Sequence, residues 1–178
     1  MASRTVGAVL LECFEGDITR QPGFDAIVNA ANAELEPGGG VAGAIHRAAG
    51  PGLEAECRPL APIAPGQAVI TGGHKLPNPH VIHCLGPVYG VDVPSDRLLA
   101  NCYRQALELA ESRGLGSVCF PAISTGVFAY PMEEAARVAL QAIGETLPRL
   151  RHVKRIAFAL HGERALRVHE AALAAVLP

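Results

Sequence analysis

A chain of 178 residues has the mass for one domain with a full core. Its formal charge of −2 gives no general electrostatic grip on nucleic acid, and no apolar run is long enough to span a bilayer. Apolar residues make up 49% of the chain and aromatics only 4%, with no Trp, so the core must be built from Ala, Val, Leu and Ile.

The start, Met1-Ala-Ser-Arg-Thr, lacks the apolar stretch of a secretory leader. Residues 6–14 read as a strand closed by Glu15-Gly16-Asp17, and residues 25–29 as a short buried strand. Residues 39–50 read as a helix ended by Gly50-Pro51-Gly52, with a short helix over 53–60. Residues 67–71 and 81–85 read as strands separated by Gly72-Gly73 and a Pro77-Asn78-Pro79 turn. A long helix opens at Pro94-Ser95 with Ser95 as N-cap. Its buried stripe is Leu99, Cys102, Ala106 and Leu109, and Arg104 and Glu108 are spaced to pair on its outer face. Residues 117–120 read as a strand, 122–130 as a loop, and a helix follows from Pro131. A last strand over 153–160 and a last helix over 163–176 complete the chain. Strands alternating with helices predict a three-layer α/β/α sandwich around a mixed, mostly parallel central sheet. No composition break divides residues 1–178, so one domain is expected.

Five cysteines, Cys13, Cys57, Cys84, Cys102 and Cys119, are odd in number and show no C-x-x-C spacing. Neither a disulfide framework nor a metal site is indicated, and a reducing cytoplasm is the expected setting.

Asn29-Ala-Ala-Asn32 ends the second strand, and Gly38-Gly39-Gly40-Val41-Ala42-Gly43 leads into a helix. Side-chain amides at a strand end orient hydroxyl groups. Glycines let backbone approach a ligand closely, and a helix start supplies free N–H groups and a positive dipole end. The stretch predicts a phosphorylated sugar held by backbone. Read alone, the glycines also satisfy the dinucleotide fingerprint G-x-G-x-x-G. That fingerprint must follow its strand directly and have an acidic residue about 20 positions on. Nine residues separate Val28 from Gly38, and the region near position 60 is Pro-rich without a carboxylate, so the dinucleotide reading fails.

A second loop, Phe120-Pro-Ala-Ile-Ser-Thr-Gly-Val-Phe-Ala-Tyr-Pro131, also leaves a strand and enters a helix. Ser124 and Thr125 offer hydroxyl and N–H groups, Gly126 allows close approach, and Val127 and Phe128 form an apolar side. In open α/β sheets, ligands bind at the carboxyl ends of strands. Two such loops make two walls of one cleft that fits a diphosphate without Lys and without a metal.

These pieces carry a family resemblance. Glu15-Gly-Asp-Ile-Thr19, Asp25-Ala-Ile-Val-Asn-Ala-Ala-Asn32, the glycine segment, Gly43-Ala-Ile-His-Arg-Ala-Ala-Gly50, Val81-Ile-His-Cys-Leu-Gly-Pro87 and Pro121-Ala-Ile-Ser-Thr-Gly-Val-Phe128 stand in the order of a macrodomain, the ADP-ribose-binding module. The likeness is strongest to the MacroD-type branch, which includes hydrolases of mono-ADP-ribosylated proteins and of acetylated ADP-ribose. The resemblance implies that Asp17 accepts the adenine amine and that the N–H of Ile18 meets a ring nitrogen; the plain alternative for Asp17 is a helix N-cap. It implies that Asn32 binds a distal-ribose hydroxyl, with Asn29 bonding backbone at the strand end. Gly38, Gly39, Gly40, Val41 and Ala42 wrap the distal ribose and one phosphate. Ser124, Thr125, Gly126 and Val127 hold the other phosphate contacts, Phe128 packs on the distal ribose, and His161 stands where the family often stacks an aromatic ring on adenine.

MacroD-type hydrolases usually read Gly-Gly-Gly-Val-Asp-Gly, and their Asp is taken to position the attacking water. Ala42 replaces it here, and a methyl group accepts no proton. Pro37 also replaces the first Gly of a longer run. Two mechanisms stay open: a water held by a ligand phosphate and aligned by the loop at Gly40, or a contribution from His46, one helical turn from Ala42. The alternative for His46 is a buried histidine bonding backbone. His83 reads as a satisfied core residue, and His74, His80 and His152 as loop or surface residues. Asn32, His46 and Gly40 are thus the candidate catalytic residues. The implied activity is removal of mono-ADP-ribose from Asp/Glu side chains of proteins, with O-acetyl-ADP-ribose as a second substrate. The rival reading is a non-catalytic ADP-ribose reader. The expected partners are ADP-ribose and mono-ADP-ribosylated proteins, with no nucleic acid, membrane, metal or cofactor, and the chain is expected to be a monomer.

Overall fold

The structure, a computed structural model, describes residues 1–177. In chain order its strands are β1 (Ala2–Val6), β2 (Val9–Glu15), β3 (Ala26–Ala30), β4 (Ala68–Gly72), β5 (His80–Cys84), β6 (Ser117–Phe120) and β7 (Arg155–Leu160). The helices are α1 (Gly40–Ala49), α2 (Pro51–Cys57), α3 (Ser95–Ser112), α4 (Met132–Thr146) and α5 (Glu163–Val176).

The strands form one seven-stranded sheet in the order β1-β2-β7-β6-β3-β5-β4. The five from β2 to β5 in that order are parallel, and β1 and β4 flank them antiparallel. Both faces are covered, so the central strands are mostly apolar, with Asn29 and His83 the buried polar exceptions. Val118, Phe120, Ile156 and Phe158 pack toward α3, α4 and α5. Their strand neighbours Cys119, Ala157 and Ala159 join Ile45, Ala49 and Leu53 of α1 and α2 on the other face. This is the expected three-layer α/β/α sandwich. Tyr103, Phe120 and Phe158 stack at the centre of the larger core, with ring centroids 5.0–6.0 Å apart.

Several local expectations need correction. Residues 6–14 are not one strand: Val6 pairs with Val9 across a two-residue turn, and Gly7 takes a φ of 61° there. Such hairpin turns need a positive φ, which glycine adopts without strain. Ser95 is not an N-cap but the first residue of α3, behind Pro94. Its hydroxyl donates to the Asp92 carbonyl (2.6 Å) and accepts from the Gly90 N–H (3.1 Å), bracing the preceding loop. Arg104 donates to Asn101 (3.1 Å), whereas Glu108 lies 3.5 Å from Arg149, so the expected helix pair is absent. His80 opens β5, with Nδ1 3.3 Å from the Thr71 carbonyl, rather than lying in a loop. The short helix stops at Cys57, and residues 58–60 tighten into a 3₁₀ turn.

The parallel strands place the site. All five carboxyl ends share one edge of the sheet, so the segments after them are neighbours. At about 4.8 Å per strand, the chain leaves β2 and β3 about 14 Å apart, with β7 and β6 between them.

Candidate functional site: a cleft across five strand ends

At the β2 end, Asp17 caps a 3₁₀ turn over Ile18–Arg20. Its carboxylate accepts from the Thr19 hydroxyl (2.7 Å) and the Thr19 N–H (2.9 Å), which hold its pKa below the usual range. The Arg20 guanidinium, 3.8 Å away, acts in the same direction, and the exposed His161 follows β7 nearby. Asp17 is therefore both the N-cap and an ionised acceptor at one end of the cleft, with Ile18 buried beside it.

At the β3 end, Asn32 closes a turn on itself. Its Nδ2 donates to the Glu36 carbonyl (2.9 Å), and its Oδ1 accepts from the Glu36 N–H (2.9 Å). One N–H and one lone pair remain for a ligand. Gly38 lies so close that a Cβ there would stand 3.3 Å from Asn32 Nδ2. Asn29 departs from expectation, since it bonds a side chain rather than backbone. Asn29 and His83 are register partners on β3 and β5, and Asn29 Nδ2 donates to His83 Nδ1 at 3.1 Å. His83 Nε2 lies 2.9 Å from the Thr71 hydroxyl, so the chain Asn29–His83–Thr71 ties β3, β5 and β4 together beneath the cleft. His83 is a satisfied core residue, as expected.

The glycine loop is exposed, and a Cβ at Gly39 or Gly40 would meet nothing within 4 Å. Gly39 caps α1 with no side-chain partner. The N–H groups of residues 38–42 donate to no backbone acceptor among the described residues. Gly43 is required for another reason: a Cβ there would stand 2.2 Å from the Gly38 carbonyl oxygen. That approach folds the loop back against α1. Val41 is half-buried and the Ala42 methyl is buried.

The loop after β6 has the same character. Ser124 is buried at a φ of 67° with its hydroxyl unpartnered, and its carbonyl accepts from Tyr130 N–H (2.9 Å). Thr125 donates its hydroxyl to the Ala122 carbonyl (2.9 Å), and a Cβ at Gly126 would meet open space. The N–H groups of residues 124–128 also donate to no backbone acceptor among the described residues. Val127 is 95% exposed, and Phe128 packs partly against the smaller core.

Two site residues carried no role in the sequence reading. A Cβ at Gly86, just past β5, would stand 2.1 Å from the Ser124 hydroxyl oxygen, so only glycine lets the two loops touch. Tyr89 N–H donates to the Phe128 carbonyl at 2.9 Å. The signal available was Gly86-Pro87 directly after an apolar strand.

His46 lies on α1, buried, with both ring nitrogens unpartnered. It does not bond backbone. Burial pushes its pKa down, and its ring centroid is 6.5 Å from that of His83. It lines a groove of ≈ 280 Å³ with Pro37, Arg47 and Glu54, on the α1/α2 side.

Two adjacent loops carry N–H groups free of backbone acceptors, an arrangement whose chemistry suits an anion, with a carboxylate at one end and a side-chain amide at the other. Fold and site together define a three-layer α/β ligand-binding module. A family profile described as Macro domain matches residues 28–139. The Macro domain-containing protein CT2219 of Chlorobaculum tepidum is 46% identical over 168 residues, covering 94% of this chain and 97% of that protein. ADP-ribose glycohydrolase MACROD2 of Xenopus laevis is 45% identical over 168 residues, which is 93% of this chain but only 40% of MACROD2. The solved Oceanobacillus iheyensis macrodomain with ADP superposes with a TM-score of 0.94 at 39% identity, covering 99% of this chain and 96% of that one. The chain belongs to the macro domain family. No described helix is long and apolar enough to cross a membrane.

Proposed function

We propose that residues 1–178 form a single macrodomain that binds ADP-ribose and removes mono-ADP-ribose from Asp/Glu side chains of modified proteins. The observation that carries the binding is the pair of unpartnered N–H runs, at residues 38–42 and 124–128, on loops leaving the neighbouring strands β3 and β6. A diphosphate between them finds many donors and no competing side chain. Asp17, Ile18 and His161 take the adenine end; Asn32, the glycine loop and Phe128 take the distal ribose. ADP in the Oceanobacillus structure and the named activity of MACROD2 support the reading.

In the proposed reaction, a water oxygen attacks the anomeric carbon. The bond from that carbon to the acyl oxygen breaks, the carboxylate of Asp or Glu departs, and the water's second proton passes to solvent. A carboxylate is a good leaving group and needs little acid assistance. Ala42 offers no base, and His46 lines a groove behind the loop. The water is therefore held by a ligand phosphate and aligned by the loop at Gly40, and positioning supplies several kcal/mol of barrier lowering. O-acetyl-ADP-ribose also carries a carboxylate ester on its distal ribose and is the second substrate of the proposal.

The buried Ala42 methyl favours one other reading, a reader that binds without turnover. Mass spectrometry of a peptide carrying one ADP-ribose on Glu separates them. Many turnovers to free ADP-ribose and unmodified peptide support the hydrolase; binding of ADP-ribose with no release supports the reader. Asn32→Ala is expected to lower turnover at least about a hundredfold, as misplacement of a reacting group does, while adenine-end binding partly survives. Full turnover by the folded variant would sink the assignment.

A further inference from the structure

Behind the glycine loop two grooves meet at Glu54. One, of ≈ 430 Å³, runs along the turn after Asn32 and is edged by Glu34, Glu36 and Arg58. The other, of ≈ 280 Å³, has His46 in its wall with Pro37 and Arg47. The chain links them to the proposed ribose site through residues 32–38. Asn32 grips the backbone of Glu36 through both ends of its amide, and Pro37 leads directly into Gly38.

Two observations mark this surface as a binding groove. Among the described residues, Glu34, Glu36, Glu54, Arg47 and Arg58 form no ion pair with one another or with anything else. Neighbouring Glu56, by contrast, is held by His74 at 2.7 Å. Independently, His46 is only 6% exposed, and neither ring nitrogen has a partner. A buried imidazole left unpaired costs free energy, which sets this wall apart from the satisfied His83 beneath the cleft.

We infer that this groove takes the polypeptide of an ADP-ribosylated substrate, specifically a segment with Lys or Arg close to the modified residue. The inference rests on the proposed binding of ADP-ribose in the cleft. Charge selects the occupant. Arg47 Nη1 lies 3.0 Å from the position a Gly43 Cβ would take, so this guanidinium folds back along α1 toward the glycine loop. The two grooves together set three carboxylates against two guanidiniums, and the ≈ 430 Å³ groove sets Glu34, Glu36 and Glu54 against Arg58 alone, a field that attracts basic side chains and repels nucleic-acid phosphates. Both His46 nitrogens lie beneath the groove wall, so the charged side chains make the selection.

The test uses two peptides, each with one ADP-ribose on Glu, identical except that Lys residues on both sides of that Glu are Ala in the second. KM is measured for the unaltered protein and for the Glu34→Gln/Glu54→Gln double variant, with Kd replacing KM where there is no turnover. Calorimetry with free ADP-ribose runs alongside. The Lys peptide is expected to hold an advantage of about fivefold, the scale of one or two exposed ion pairs. The advantage should vanish in the double variant and in about 0.5 M salt, where screening is short-ranged. Free ADP-ribose should bind both proteins equally. Equal KM for the two peptides, or an advantage that survives in the double variant, overturns this inference alone. Failure of the unaltered protein to bind free ADP-ribose overturns the proposed function and this inference with it.

Discussion

Gly39→Glu is expected to abolish ADP-ribose binding and leave the fold unchanged. Gly39 has an ordinary extended backbone, with φ −83° and ψ 178°, so a larger residue meets no conformational penalty. A Cβ there meets no atom within 4 Å, so the side chain projects into open cleft. Its carboxylate would lie among the N–H groups of residues 38–42, occupy them and repel the ligand phosphate. Calorimetry should show affinity reduced at least about a hundredfold, or about 2.7 kcal/mol, with an unshifted melting temperature. Its neighbours give less clean tests. Gly40 has a φ of 56°, and Gly43 is held against the Gly38 carbonyl, so substitution at either disturbs the loop itself. Unchanged affinity in a folded Gly39→Glu protein would rule out the proposed pose.

The layered fold was legible because the buried strands are short apolar runs separated by glycine and proline punctuation. Residues 117–120 match β6 in full, and the expected bounds of β3, β4 and β5 differ by one residue at each end. The β1–β2 hairpin was hidden because Val6-Gly7-Ala8-Val9 keeps an apolar pattern across the turn, and β1 is an edge strand that alternates between half-buried and exposed. Order in space was illegible at a finer level. Nothing local in Asn29 says that its partner is His83, because that bond depends on the register of two strands far apart in sequence. Gly86 is similar: its need for glycine is set by Ser124, which the chain brings back only after α3 and β6.

The candidate site was legible where chemistry is carried by backbone. A run of glycines before a helix announces free N–H groups whatever the fold, and residues 38–42 carry them, with open space over Gly39 and Gly40. Side-chain roles were harder to read. His46 could act in catalysis or bond backbone on the sequence alone. The structure gives it no backbone bond and a place in a groove wall, which moves its chemistry toward what lies behind the loop.

The second large expectation is loss of stability in mild acid. His46, His83 and His169 are buried, and burial lowers the pKa of each. His83 is pushed down to about 3, chiefly by burial, with the nearby His46 adding to the effect. Above pH 6.5, the ordinary histidine value, these groups are neutral in both folded and unfolded chains and stability does not depend on them. Below it the unfolded chain takes up protons that the folded chain refuses, so stability falls as pH falls, for His83 down to about pH 3. Two pH units below 6.5, His83 alone accounts for about 2.7 kcal/mol, a large part of the margin of a typical domain. Denaturant midpoints should be level from pH 8 to about 7 and drop steeply toward pH 4.5, and a His83→Gln variant should show a shallower drop. Greater stability at pH 5 than at pH 7.5 would refute this account. The cleft is spared while the chain stays folded, because His83 accepts from Asn29 at the end of β3 as long as Nδ1 is unprotonated, and the folded chain keeps it so down to about pH 3. The turn at Asn32, three residues on, should therefore hold, and ADP-ribose affinity measured on the folded fraction should stay level while stability falls, so that a loss of affinity well before unfolding would refute this order of events.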